Sequence, residues 1–176
     1  MTINEVYEKA GIFSLPISPE EAAKRLGIKL VSYKTMTEIY EISARELYEK
    51  NRFGFSYCEE GHFVIAINEN SCCERRRRFT IAHEIAHCVL GHFSRLENVY
   101  ENERAADRFA ADFLAPICVL RKCGDLQVGE ISRLCGISEK AAEICRKRIE
   151  SAEKSPEDEA IIARFSTFIS RYKARF

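Results

Sequence analysis

An apolar helix that carries two histidines and one glutamate is the most constraining feature of this sequence. Residues 78–92 read RFTIAHEIAHCVLGH and contain the pattern H-E-x-x-H. Four residues advance an α-helix by about 400°, so His83 and His87 project from one face and can bind one metal ion. Glu84 lies about 100° from His83 around the helix, close to the ion but not aimed at it. The spacing therefore predicts two metal ligands and a general base that can accept a proton from water.

The rest of this helix favours metal binding over a chance match. A short motif of this kind also arises by chance on helix surfaces, with two ordinary hydrogen-bonded histidines. Here apolar side chains cover the remaining helix surface almost without interruption from Phe79 to Leu90. Metal coordination explains why two imidazoles and a carboxylate interrupt such a surface. His92 follows the helix-ending Gly91 and is predicted to be, at most, a loop residue near the site.

A third protein ligand is expected, because a catalytic zinc ion has three protein ligands and one open position. The arrangement H-E-x-x-H-x-x-G-x-x-H is excluded, since the sequence lacks its glycine and its last histidine at the required places. The alternative is a carboxylate on the next helix, where the alanine-rich residues 103–116 begin with Glu103. Glu103 is the predicted ligand and Glu101 the substitute. Asp107 is predicted to accept the free N–H of a metal-bound histidine, although acids at a helix start also occur without such a role.

Together these motifs resemble the ImmA/IrrE-type zinc-dependent metallopeptidases of bacteria and their mobile elements. The resemblance is carried by residues 78–92, by Glu103 with the A-D-x-F-A sequence of residues 106–110, and by the L-x-P sequence of residues 114–116. With weaker amino-terminal similarity it spans about residues 10–120. Two departures are Ala115, where the family commonly has methionine, and Ala86, where it often has the equally small glycine.

The resemblance implies a zincin-like α+β metallopeptidase located in the cytoplasm. Its substrate would be a helix-turn-helix transcriptional repressor, cleaved at one or a few sites to relieve repression of a mobile element or a stress response. The residues themselves predict only a hydrolytic metal site, with zinc as the cofactor and manganese also compatible with two histidines and a glutamate. Three residues are unranked candidates for stabilising the oxyanion: Tyr57, His92 and Tyr100.

Two other classes of function stay open from the sequence. Residues 130–150 resemble a helix-turn-helix, which allows a DNA-binding regulator. However, Glu139 and Glu143 in the second helix would repel phosphates, and the chain has 27 basic and 27 acidic residues, so direct DNA binding is not expected. The other class is a non-catalytic protein with a structural metal, such as the partner-binding component of a toxin–antitoxin pair.

Local patterns predict a small sheet in the first half of the chain and helices in the second. The predicted elements are helices over 2–11, 18–26 and 37–51, strands over 28–31, 53–57 and 62–67, and helices from residue 74 onwards. The strand over 62–67 is predicted either to lie in the core sheet or, at a sheet edge, to bind an extended substrate. The predicted domains are a zincin-like metallopeptidase domain over 1–123 and a helical region over 124–176. The latter comprises the helix-turn-helix-like hairpin and an amphipathic tail helix.

Composition favours a protein of the cytoplasm. Eight cysteines occur without a C-x-x-C pair, so reduced thiols are expected. The first residues contain two acids and no apolar run, which is unlike a secretory signal. Apolar stretches fall far below the roughly 20 residues that cross a bilayer, so no membrane contact is expected. No oligomeric state is predicted.

Overall fold

The computed structural model describes residues 1–70, 73–94, 99–151 and 153–175. These residues form helices and one three-stranded sheet, which confirms the predicted α+β class. In chain order the elements are α1 (Ile3–Lys9), α2 (Pro19–Arg25), β1 (Lys29–Ser32), α3 (Tyr33–Tyr40), α4 (Ala44–Lys50), β2 (Gly54–Glu59), β3 (His62–Ile67), α5 (Glu74–Leu90), a 3₁₀ turn (His92–Ser94), α6 (Val99–Leu114), α7 (Ile117–Cys123), α8 (Val128–Cys135), α9 (Glu139–Ser151), α10 (Asp158–Arg164) and α11 (Ser166–Lys173).

Contacts between residues divide the chain into two units. The sheet unit comprises Met1 and Ser18–Ala110, and the helical unit comprises Thr2–Ile17 and Ala111–Phe176. Helix α1 therefore belongs to the helical unit although it precedes the sheet in the sequence. These units differ from the domains predicted from the sequence, which meet between residues 123 and 124. The domain boundary itself stays a prediction.

The strand order in the sheet is β1-β3-β2, so β3 is the central strand. Strand β1 pairs with it in parallel and β2 in antiparallel register, with Leu30 and Ser56 both opposite Ile65. Of the two alternatives predicted for residues 62–67, the core strand is confirmed and the sheet edge is wrong. A nearly continuous apolar run such as this one is typical of a strand covered on both faces, and Val64–Ile67 are indeed all buried.

Two glycines have separate roles in this sheet: Gly61 forms the turn between β2 and β3, and Gly54 allows α5 to approach β2. Glu60 and Gly61, with φ values of 49° and 81°, connect β2 to β3. Positive φ at both central residues is the requirement of a type I′ hairpin turn. At Gly54, a Cβ atom would lie 2.8 Å from the carbonyl oxygen of Ala66 and 3.0 Å from Cγ2 of Thr80 on α5. The absent side chain thus lets α5 lie directly against β2.

The other face of the sheet is covered by α3 and α4, where the sequence predicts one helix over residues 37–51. The chain leaves α3 at Glu41, which has a left-handed φ of 53°. Ser43 then caps α4 in a capping box with Glu46. This S-x-x-E signal is present in the sequence and marks the second helix start. Side chains of the two helices, of the segment between them and of the strands pack in one cluster: Tyr33, Met36, Leu47, Ala66, Val31, Ile42, Phe55 and Tyr57.

The core of the helical unit contains stacked aromatic rings. Tyr7 is completely buried, its ring contacts Phe113 and Phe165, and its hydroxyl donates to the carbonyl oxygen of Phe113 at 2.8 Å. The predicted single tail helix is instead two helices, α10 and α11, which meet at Phe165. That residue is completely buried and departs from helical geometry, so burial of its ring coincides with the break.

Two further expectations concern membranes and cysteines. Across the described parts of the chain, no helix is both long and apolar enough to cross a bilayer. The described cysteines form no disulfide, and five of them are buried, including Cys88 and Cys145. Cys72 lies outside the described residues.

Candidate metal centre

Helix α5 places the two predicted histidine ligands on one face. It runs from Glu74 to Leu90, and Gly91 ends it with a φ of 74°, as the sequence predicts. Because four residues separate His83 from His87, their rings lie side by side with centroids 4.8 Å apart. Their side chains are 14% and 13% exposed. Both imidazoles are thus mostly shielded from solvent but still accessible.

Three potential ligands converge on one point. The Nε2 atoms of His83 and His87 are 3.0 Å apart, and the carboxylate oxygens of Glu103 lie 3.3 and 3.4 Å from them. Ligand atoms about 2.0–2.1 Å from a tetrahedral zinc ion are about 3.3–3.4 Å from each other. These residues also form the group of described side chains that could hold a metal ion. Two imidazoles and one carboxylate therefore fit the ligand set of a catalytic zinc site.

The positions of the two predicted acids on α6 distinguish them. Both are exposed, but only Glu103 belongs to the group that converges with the histidines. Asp107 lies four residues after Glu103, and its Oδ1 is 2.9 Å from Nδ1 of His83. An N–H at Nδ1 donating to this carboxylate leaves the Nε2 lone pair of His83 free to bind a metal. The structure thus brings together all the predicted ligands and their predicted supporting acid.

His92 contacts one of the predicted ligand histidines, whereas the sequence predicts at most a loop residue near the site. Its Nδ1 lies 3.0 Å from Nδ1 of His87. If His87 donates its N–H here, its Nε2 lone pair also points at the Nε2 of His83 and the carboxylate of Glu103. Lone pairs and a carboxylate converging in this way repel one another unless a cation lies between them. The sequence feature that could have predicted this contact is Gly91. Its left-handed conformation turns the chain back onto the last turn of α5.

Burial keeps His87 in its metal-binding form. Desolvation, together with the neighbouring His83 and His92, lowers the pKa of His87 to about 4. Desolvation also lowers the pKa of His92. Only a neutral imidazole binds a metal ion. His87 is therefore competent to bind at neutral pH and well into the acidic range.

Glu84, the predicted general base, lies next to His83 in the sequence and is not one of the three converging side chains. It is only 6% exposed, and its Oε2 accepts a hydrogen bond of 2.6 Å from the hydroxyl of Ser56 on β2. Desolvation raises the pKa of Glu84, whereas the Ser56 hydrogen bond and His83 oppose that rise. A carboxylate with a raised pKa is a stronger base near neutral pH. Sequence reasoning missed Ser56, because nothing in its local sequence marks it.

The three oxyanion candidates occupy different places. Successive residues of a strand point to opposite faces of the sheet. Ser56 faces α5, so Tyr57 faces α3, where its hydroxyl contacts the sulfur of Met36 at 3.5 Å. Tyr57 is therefore on the wrong side of the sheet to act at the site. Tyr100 is 72% exposed on α6, and His92 contacts His87.

We expect the partners of the two histidines to control metal affinity. Asp107→Ala and His92→Ala should each weaken Zn²⁺ binding by about 10- to 100-fold, because each removes the group that orients a ligand imidazole. Competition with a chromophoric chelator measures this change. Matched controls are Glu101→Ala, an exposed acid on the same helix, and His62→Ala, an exposed histidine on β3. Affinities of Asp107→Ala and His92→Ala equal to those of the controls would contradict these roles.

Comparison with known proteins identifies the family. The family model described as the IrrE N-terminal-like domain, of the M78 peptidases, matches residues 23–144. Searches of curated proteins and of solved structures found no match. The matched range covers more than half of the chain and contains α5, α6 and the three converging side chains. The resemblance stated from the sequence is thereby confirmed: the chain belongs to the IrrE N-terminal-like family of M78 peptidases, which are zincin-like metallopeptidases.

Proposed function

We propose that this chain is a zinc-dependent endopeptidase that cleaves a helix-turn-helix transcriptional repressor at a specific site. The observation that carries the proposal is the convergence of His83, His87 and Glu103 with a separate buried carboxylate, Glu84, beside them. A structural zinc site has four protein ligands, whereas a catalytic one has three and an open position. Among the described residues three ligand groups and a neighbouring base converge, which favours catalysis over the alternative of a non-catalytic protein with a structural metal.

The side chains of the site would have three roles in peptide hydrolysis: binding the metal, orienting its ligands and transferring a proton. A bound zinc ion would supply Lewis acidity, which polarises a peptide carbonyl and makes water more acidic. His83, His87 and Glu103 would hold that ion, with Asp107 and His92 fixing the imidazole tautomers. Glu84 would accept a proton from the attacking water at its carboxylate and later deliver it to the leaving amine.

The sheet offers a place for an extended substrate next to Glu84. Strand β2 pairs with β3 on one side, and within the described chain no strand pairs with its other side. Ser56, in the middle of β2, donates to Glu84. A peptide that adds to the free side of β2 by main-chain hydrogen bonds would pass close to this carboxylate. Strand β2 thus takes the place of β3, the strand for which the sequence suggested binding of an extended substrate.

The repressor as substrate is supported by family membership and by the resemblance to ImmA/IrrE-type proteases. A repressor acts on DNA inside the cell, so the proposal places the protease in the cytoplasm. The hairpin of α8 and α9 does not favour direct DNA binding as a second function. The helix that would read DNA begins at Glu139 and also exposes Glu143. Both carboxylates would repel the phosphates of DNA.

Co-expression with the proposed substrate, a helix-turn-helix repressor encoded near this gene, tests the proposal. We expect one discrete repressor fragment, whose termini mass spectrometry identifies, and we expect its formation in vitro to stop when a chelator removes the metal. An intact repressor that binds the protein tightly would instead support the partner-binding alternative. Operator binding by the protein itself would support the DNA-binding one.

The environment of Glu84 also predicts a pH dependence. Glu84 must be unprotonated to accept a proton, so activity should fall as the pH drops through its raised pKa. Ser56 stabilises the charged carboxylate, and Ser56→Ala should therefore raise that pKa further. The acidic limb of the pH–rate profile should then move to higher pH. Ser56→Thr, which keeps a hydroxyl, should restore the original limb. Coincident profiles for wild type and Ser56→Ala would contradict this role of Ser56.

A further inference from the structure

The helical unit contains a cavity that the proposed peptidase activity does not use. Its volume is about 850 Å³, and it lies between residues 13–16, helix α8 and helices α10 and α11. All of these belong to the helical unit, whereas the candidate metal ligands belong to the sheet unit. Cavities that bind small molecules in proteins have volumes of about 300–1,000 Å³. The size therefore fits a small ligand.

Positive charge is concentrated around this cavity. The chain as a whole has no net charge, yet four arginines line the cavity together with one acid. The arginines are Arg133, Arg164, Arg171 and Arg175, and the acid is Glu130. The Glu130 carboxylate already accepts a hydrogen bond of 2.8 Å from the backbone N–H of Gln127, which it caps. The lining thus carries a surplus of three positive charges.

Three of these four arginines form no ion pair with any residue that the structure describes. Within the described part of the chain, Arg133, Arg171 and Arg175 form no salt bridge. Arg164 lies 3.6 Å from Glu8, but its Nε is buried and donates no hydrogen bond to any described residue. Guanidinium groups are rigid, planar donors suited to phosphate and carboxylate oxygens. Their accumulation around a cavity therefore points to an anionic ligand.

Aromatic rings provide the second part of the lining. Phe168 and Tyr172, one turn apart on α11, both border the cavity. Their rings are stacked with centroids 6.3 Å apart and an interplanar angle of 30°. Both residues are half-buried, so they offer flat apolar surface next to the guanidinium groups. A ligand that combines several negative charges with a flat ring would use both parts.

We propose that this cavity binds a nucleoside diphosphate or triphosphate. The phosphates would contact Arg171, Arg175 and Arg133, and the base would lie against Phe168 and Tyr172. The surplus of three positive charges is close to the charge of such a ligand, and the cavity volume suits one nucleotide. This site is independent of the peptidase activity, and its occupancy is measurable without a protein substrate.

Isothermal titration calorimetry on the full, zinc-loaded chain tests the proposal with ATP, ADP and GTP as probes. The variant R171E/R175E should bind at least about tenfold more weakly, because it removes two charge-assisted contacts and adds repulsion. The control K140E/K147E changes the charge equally at exposed positions on α9 that do not line the cavity, and should leave the affinity within about twofold of wild type. R171Q/R175Q provides a milder variant should the glutamates impair folding, which circular dichroism reports.

Four results would overturn the proposal. One is the absence of binding at millimolar nucleotide. The second is equal binding by the wild type and R171E/R175E, which would indicate chelation of the zinc ion instead. The third is tripolyphosphate binding as tightly as ATP, which would exclude a role for the rings. The fourth is far tighter binding of a short single-stranded oligonucleotide, which would make the surface a nucleic-acid site.

Discussion

Glu84→Gln is expected to abolish repressor cleavage while the protein stays folded and still binds zinc. General-base catalysis contributes about 10²- to 10⁴-fold to a rate, and an amide cannot accept the proton. The variant should stay folded because the amide oxygen of glutamine can still accept the hydrogen bond from Ser56. Zinc binding should persist because Glu84 is not one of the three converging groups.

The measurement combines the rate of fragment formation by the purified protein with its zinc content. Glu101→Gln is the matched control, since it makes the same chemical change at an exposed acid outside the metal group. Cleavage by Glu84→Gln at the wild-type rate would refute the assignment of the base. Loss of zinc from this variant would show instead that Glu84 is a ligand.

The candidate site could be predicted almost completely from the sequence because its parts are local. His83, Glu84 and His87 share one helix, whose period fixes their relative directions. Glu103 and Asp107 share the next helix at a spacing of four. Only the meeting of the two helices is non-local, and the chemistry of zinc requires some third ligand there. Helix periodicity and coordination number together supply most of the geometry.

The contacts that sequence reasoning missed depend on tertiary structure. Ser56 reaches Glu84 because β2 packs against α5. The order of the strands in the sheet depends in addition on the pairing of β1 with β3. A parallel pair has a long connection, and its register is not encoded by any local turn. His92 reaches His87 through a backbone reversal. The division of the chain into units, with α1 joining the carboxy-terminal helices, likewise depends on distant contacts such as Tyr7 with Phe113.

Glu103→Ala is expected to lose zinc far more severely than the Asp107 and His92 variants. It removes one of three ligands, whereas those variants remove only groups that orient a ligand and should cost about 10- to 100-fold. Cleavage should disappear with the metal, since His83 and His87 alone leave two open positions on a tetrahedral ion. Glu101→Ala should behave as wild type, because Glu101 is outside the converging group.

Thermal or urea unfolding with and without Zn²⁺ gives a measurement that does not depend on activity. A ligand that binds only the folded state stabilises it by about 2.7 kcal/mol when its free concentration is 100 times the dissociation constant. The wild type and Glu101→Ala should show this gain in the free energy of unfolding, and Glu103→Ala should lose nearly all of it at the same Zn²⁺ concentration. An equal gain in all three proteins would place the third ligand elsewhere. A loss of the gain in Glu101→Ala but not in Glu103→Ala would transfer the role to Glu101, which the 3.3 and 3.4 Å separations of Glu103 from the histidines argue against.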